Sequence, residues 1–327
     1  MAQSITTGSN RSRRSLGRAK ARPLTNVIHH TGNSMSRTQG AGNIQPFEAR
    51  AAVATTSAQD VRHLARQSDL SPLEQFEALL RNQRSFLNWI DTRHSELVDA
   101  KKQINPNGRG PKDGVYRKYR WYTEQQSLLE AINGFEVFYK SSSIALAKSV
   151  RRYVAPQKIK GNVDAKVLWV AQGSASFTSL IFEHQLFHNL DAVDDATNML
   201  IGAKRYIPSN LNGPLAGRVR AIQCIFQIRH TLSHNQGRVT QSDSAKFASL
   251  GFAAEHGEVI DPGKDHLGDA VRDLLKLEAR EFTAWALSKT AIFLSGAGQR
   301  HPLTQKTKNR IEKLVGKHPD LDALAWQ

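Results

Sequence analysis

Within the stretch Arg229-His230-Thr231-Leu232-Ser233-His234-Asn235-Gln236-Gly237, a guanidinium, two imidazoles and two carboxamides follow the mostly apolar run Ile222 to Ile228. Imidazole can take or give a proton near neutral pH without any perturbation of its pKa. Guanidinium stays charged and offers a planar fork to an anion. Proton transfer beside a phosphate is the chemistry these residue types can perform. On an ideal helix, residues five apart point about 140° away from one another, and residues four apart only about 40°. Arg229 and His234 therefore need a wrapped side chain or a distorted helix end to meet, whereas His230 and His234 share a face. Their i, i+4 spacing is also that of a helical metal pair, although Thr231 stands where H-E-x-x-H has its Glu. The plain alternative is a helix end at which Arg and His satisfy terminal carbonyls and favour the negative end of the helix dipole.

The string RHTLSHNQG, preceded by IQCIFQI and followed by RVTQSDSAKF, resembles the HEPN family (higher eukaryotes and prokaryotes nucleotide-binding) over residues 222–247. These are helical bundles in which Arg-x4-6-His, often with a polar residue after the Arg, forms a metal-independent endoribonuclease site. His230 matches the polar slot, and His234-Asn235-x-Gly237 matches a common continuation. The resemblance implies that His234 takes the proton of the RNA 2′-hydroxyl and that Arg229 offsets charge on the phosphoryl oxygens. His230 or Asn235 would then hold the phosphate or orient His234. It further implies RNA as substrate, a 2′,3′-cyclic phosphate product, no metal or cofactor, and a homodimer whose two motifs line one cleft. A toxin-type or antiviral defence effector, held by an antitoxin or a partner defence protein, fits the same resemblance. A catalytically inactive HEPN-like module that binds RNA or protein is the alternative. Toxins modified on tyrosine carry Tyr two residues after the His; Gln236 stands there, so that modification is not expected.

The elements that must position the motif read as helices. Ser71-Pro72-Leu73-Glu74 is a capping box with Pro in the first turn, and Leu73, Phe76, Leu80, Leu87, Ile90 and Leu97 recur at helical spacing to about Ile104. NPNGRGPKDG over 105–114 breaks that helix, and its glycines lack the Gly-Lys-Ser/Thr end of a phosphate loop. A second helix is expected from about Arg117 to Val154, with Leu128, Ile132, Phe135, Phe138 or Tyr139, and Leu146 facing the core, stopped by Pro156. The run VLWVAQGSASFTSLIF has no decisive period and is read as helix. Asn212-Gly213-Pro214 opens the motif helix, and Gly237 is expected as its left-handed cap. A last long helix carries Leu267, Val271, Leu274, Leu275, Phe282, Trp285 and Ile292. The expected organisation is a disordered basic tail over 1–65, an all-α HEPN-like helical bundle over 66–300, and a basic extension over 301–327 with a short helix from Gln305.

The 327 residues carry a net charge of +16, which predicts attraction to polyanions. Seven of those charges, Arg11, Arg13, Arg14, Arg18, Lys20, Arg22 and Arg37, lie in an acid-free leader, leaving +9 on the remainder. An Arg- and Ser-rich leader also fits an organellar transit peptide, but it shows no amphipathic face. No apolar run approaches the roughly eighteen residues of a membrane span, and no secretory leader is evident, so a soluble, cytoplasmic protein without a membrane partner is expected. Cys224 is the one cysteine and reads as a small buried hydrophobe rather than a disulfide or thiolate-cluster ligand. Arg117, Lys118, Arg120 and Trp121, interleaved with Tyr116, Tyr119 and Tyr122 and near Lys101, Lys102, Arg109 and Lys112, are candidate RNA contacts. The competing reading packs the three tyrosines inward on one helix face. His184 and His188, with Glu183 and Asp191, have ligand-like spacing but read as a core-edge feature. Arg151, Arg152, Lys158 and Lys160 read as a solvated face.

Overall fold

The computed structural model of the chain describes residues 70–107, 113–161, 177–183, 185–299 and 301–327. The expected tail over 1–65, together with Arg109 and Lys112, lies outside the described residues. Helix α1 spans Pro72–Ile104, and its start is fixed by the capping box. Ser71 Oγ accepts from the Glu74 N–H at 3.3 Å, and Glu74 Oε2 accepts from the Ser71 N–H at 2.8 Å. Helix α2, Asp113–Val150, runs back antiparallel to it and begins before the expected Arg117. It also stops earlier than Val154: Ala155, which precedes Pro156, is extended at φ −65° and ψ 130°, and the preceding four residues turn instead of continuing the helix.

Helix α2 is the centre of the molecule. Leu128, Ile132, Phe135, Phe138, Tyr139 and Leu146 are all buried, and serines fill the remaining inward positions. Ser143 and Ser149 donate to the carbonyls of Tyr139 and Ala145 at 2.9 and 2.8 Å, so their hydroxyls are satisfied without a partner helix. Gly134 lets α1 approach closely, since a Cβ there would collide with the Leu79 side chain. Around α2 pack α1, α3 (Phe177–Glu183), α4 (Leu190–Ile201), α5 (Ala216–Asn235), α7 (Leu267–Gly298) and α8 (Gln305–Leu314), while α6 (Gln241–Ser249) leans on α5 and α9 (Pro319–Asp322) on α7. The fold is all-α: among the described residues the one departure is an isolated bridge between Arg238 and Val259. None of the helices described is long and apolar enough to cross a membrane.

Three expectations are changed by the packing. The apolar stripe of α1 is a core face only as far as Leu87; Leu97 is 61% and Ile104 86% exposed. Beyond Leu87, among the described residues, Asp91 and His94 of α1 meet Asp113, Tyr116 and Arg120 in the first turns of α2. Ile292 of α7 points outward at 61% exposure, its neighbours Ala291 and Leu294 taking the inward positions. Residues 301–327 do not trail from the bundle, because Leu303, Ile311, Val315 and Leu321 are buried in the same core as α2. Of the ambiguous run, residues 177–182 are helical and the remainder, within 162–176, lies outside the described residues.

The segment between α4 and α5 is held by two buried carboxylates. Asp194 accepts the backbone N–H groups of Arg205, Tyr206 and Ile207 at 2.8, 3.0 and 2.7 Å, which holds Ile207 at φ 42°, a conformation a β-branched residue avoids. Glu278 of α7 is fully buried and takes Arg205 Nε at 2.9 Å, Arg218 Nη1 at 2.8 Å and the Tyr206 hydroxyl at 2.8 Å. Tyr206 in turn shares a hydroxyl contact of 2.6 Å with Tyr139. Removing one partner from such a buried set leaves uncompensated charge. Glu278→Ala is expected to lower the unfolding free energy by about 3–5 kcal/mol in urea titration, whereas Glu281→Ala, which removes a half-exposed partner, costs under about 1 kcal/mol.

Candidate functional site

Residues 229–235 form the last turns of α5, and neighbouring segments fix both flanks of that end. The left-handed cap is Gln236, at φ 52°, with Gly237 following at φ 82°. The amides of both donate to the Thr231 carbonyl, so the cap comes one residue before the expected glycine. Gly237 is nonetheless required, because a Cβ there would lie 2.6 Å from Gln125 Nε2 of α2. On the other flank, the buried Asp243 of α6 accepts from Gln227 Nε2 at 2.8 Å and from Asn235 Nδ2 at 2.9 Å. Burial opposes its charge, but the Thr240 backbone and hydroxyl donors, Asn235 and His230 together hold its pKa below the usual carboxylate range.

Helix α5 stays regular through the motif, so its side chains fan out as helical geometry dictates. Arg229 turns toward α2, where its Nε donates to Asn133 Oδ1 at 3.0 Å and lies 3.4 Å from Glu136 Oε1. That oxygen has no hydrogen-bond partner, and burial lifts the Glu136 carboxyl above its usual range against the opposing pull of Arg229 and His188. His230 and His234 turn the other way, toward α6. Their ring centroids are 4.7 Å apart at 49°, with His234 exposed and His230 half-buried. Partial burial lowers the His230 pKa from 6.5, and Lys246, His234 and Arg229 lower it further while Asp243 pulls it up. The imidazole is therefore neutral at pH 7 and free to accept a proton.

The structure thus brings together His230, His234 and Lys246, with Asn235 immobilised on Asp243, and separates them from Arg229. Among the described residues no group of three or more His, Cys, Asp or Glu side chains is arranged to hold a metal ion, so the His230 and His234 pair finds no third ligand there. His184 and the side chain of Glu183 lie outside the described residues. Cys224 is buried and its thiol is pushed up to about 12 by burial, an inert packing group.

The chain matches no family model, no curated protein and no solved structure. Its chemistry has to be read from the site itself.

The expected RNA contacts on α2 divide. Arg117 and Lys118 are exposed and Trp121 is half-buried. Arg120 is committed to the fold: its Nε donates to Asp91 at 2.8 Å and its Nη1 to Glu124 at 2.6 Å, and Glu124 is also paired with the buried Arg272 at 2.7 Å. Tyr116 packs inward, stacked on His94 with ring centroids 3.7 Å apart and donating to Asp91, while Tyr119 and Tyr122 are exposed. The three tyrosines therefore do not share one buried face. Sequence reasoning overlooked Asn133, Glu136, Asp243 and Lys246. Only Asp243 had a local signal, Thr240-x-x-Asp243 as a capping box, and Thr240 Oγ1 indeed accepts from the Asp243 N–H at 3.1 Å.

In an NMR titration, the His230 ring protons are expected to report a midpoint below 6.5, and Lys246→Gln is expected to raise it. Because the folded pKa lies below the unfolded one, His230 makes the protein less stable as pH falls through that window. His230→Gln should remove that part of the acid sensitivity, measured as a smaller drop in unfolding free energy on lowering the pH.

Proposed function

We propose that this chain is a metal-independent endoribonuclease of HEPN type, acting at the C-terminal end of α5. The observation that carries the reading is the adjacent pair of imidazoles, one of them held neutral, beside a lysine at an accessible helix end. His230 accepts the 2′-hydroxyl proton as the 2′-oxygen attacks phosphorus. The P–O5′ bond breaks, and protonated His234 gives its proton to the departing O5′. The products are a 2′,3′-cyclic phosphate and a 5′-hydroxyl end. Lys246 supplies positive charge on the same side, and Asn235 keeps the helix end in place through Asp243. This exchanges the roles expected from sequence, where His234 was the base, because His230 is the half-buried imidazole facing Asp243 and Lys246 and His234 the exposed one. Arg229 reaches the same phosphate if the motif of a second copy of the chain lines the cleft. A toxin-type or defence role, with an antitoxin or partner protein as regulator, belongs to this proposal and rests on the motif resemblance.

The divergence of Arg229 and His234 within one chain favours a second reading, a HEPN-like module that binds RNA without cutting it. Incubating the full chain with mixed RNAs in excess EDTA separates the two. Cleavage with cyclic phosphate ends is expected, falling about 10²–10⁴-fold in His230→Ala and in His234→Ala. RNA that is retained in a salt-sensitive manner but stays intact supports the binding module. Cleavage equal to wild type in both variants overturns the proposed site.

A further inference from the structure

A cavity of about 580 Å³ opens where the C-terminal end of α2 meets α3, α4 and the start of α8, and none of its lining residues belongs to the site on α5. Its buried floor is aliphatic and aromatic: Val154, Ile181, Phe182 and Leu200. Its rim is cationic and exposed, with Arg151 and Arg152 from the turn after α2 meeting Lys306 and Arg310 of α8. A smaller cavity shares Arg151 and Arg310 and adds Lys148, so the positive surface extends past the main opening. Among the described residues no Asp or Glu lines either cavity. Among the described residues none of the four rim cations forms an ion pair, although Arg310 Nη1 donates to the Lys148 carbonyl at 3.4 Å.

Four like charges converging from positions about 150 residues apart in the chain repel one another, and elsewhere this protein pairs its partly buried arginines with carboxylates. Here, among the described residues, the cations without a carboxylate partner and the cavity occupy the same place. The volume falls in the range of roughly 300–1,000 Å³ typical of small-molecule sites, and an apolar lining with a few convergent polar groups is their usual chemistry. The hydroxyls of Thr304 and Thr307 add neutral polar groups at the α8 wall.

We infer that this cavity binds a small organic diphosphate, its phosphates on Arg151, Arg152, Lys306 and Arg310 and its apolar body on the floor of Val154, Ile181, Phe182 and Leu200. The body is either the flat ring of a nucleoside diphosphate or the aliphatic chain of an isoprenoid diphosphate; both present the same pair of chemistries to the protein. The site is independent of the ribonuclease reading and stands or falls without it.

Isothermal titration of the full chain at fixed salt, with ADP, geranyl diphosphate and pyrophosphate as separate probes, tests the inference. One of the two organic probes is expected to bind at least about tenfold more tightly than pyrophosphate, and which one does so identifies the body. Arg151→Glu and Arg310→Glu, both at exposed positions, are expected to weaken that probe by about tenfold or more each while leaving the thermal melt unchanged. The double variant Arg229→Ala/His234→Ala is expected to bind it as wild type does. Three outcomes overturn the inference: no binding of either organic probe at millimolar concentration, equal affinity for pyrophosphate, and binding that survives both charge reversals.

Discussion

Much of the structure hangs on a carboxylate that water never reaches. Glu278 sits in the middle of α7, and in a low-dielectric interior its charge is tolerable only because two guanidiniums and a phenol converge on it. Those partners come from different places: Arg205 and Tyr206 from the segment after α4, and Arg218 from the first turn of α5. One buried charge therefore gathers α4, α5 and α7 onto the central helix α2, with Tyr139 of α2 reaching the same group through Tyr206. Hydrophobic burial would let these helices slide, because leucine against leucine has no preferred register. A fixed set of charge-assisted hydrogen bonds does not permit that.

The far end of α5 is governed by the same device at smaller scale. Asp243 anchors Gln227 and Asn235 and caps its own helix through Thr240, while Gln125 and Gly237 close the opposite flank. The imidazoles of His230 and His234 are thus surface groups on a rigid mount. Asp243 and Lys246 act on His230 in opposite senses, and burial joins Lys246 in lowering its pKa. Burial is the first influence on His230, and α6, an element with a short sequence and no apolar stripe to advertise it, adds the charges that adjust it.

What was legible in the sequence was local. The capping box at Ser71 marks the start of α1, and the apolar face of α2 from Leu128 to Leu146 is the core face. Local misses are confined to helix ends, as at Val150 and at the Gln236 cap; the others are long-range. Leu97 and Ile104 continue a helical stripe that is left exposed, since periodicity records which face is apolar and not whether a neighbour is present to cover it. Arg120 reads as a nucleic-acid contact beside aromatic residues, yet Asp91 and Glu124 claim it. Arg151 and Arg152 are exposed, as a solvated face requires, but Lys306 and Arg310, which join them at a cavity rim, are about half the chain away in sequence. Glu136 and Asn133 carry no motif and become visible only as the groups facing Arg229.

The regularity of α5 bears directly on how the proposed chemistry would be assembled. An Arg and a His five residues apart converge on one phosphate only if the Arg side chain wraps around the helix, if the helix unwinds between them, or if they come from different copies. The helix does not unwind, and Arg229 is held on the α2 side by Asn133 while His234 faces α6. Under the ribonuclease reading this leaves a division of labour within one chain, His230, His234 and Lys246 handling protons and charge on one side, and a contribution of Arg229 across a two-fold interface. A two-fold axis would supply it twice over, because an isologous contact that sets Arg229 of one copy against the His pair of the other necessarily does the reverse as well. The Glu136 oxygen at 3.4 Å takes no hydrogen bond, so the Nε bond to Asn133 at 3.0 Å is the contact that Arg229 gives up if it swings toward a phosphate.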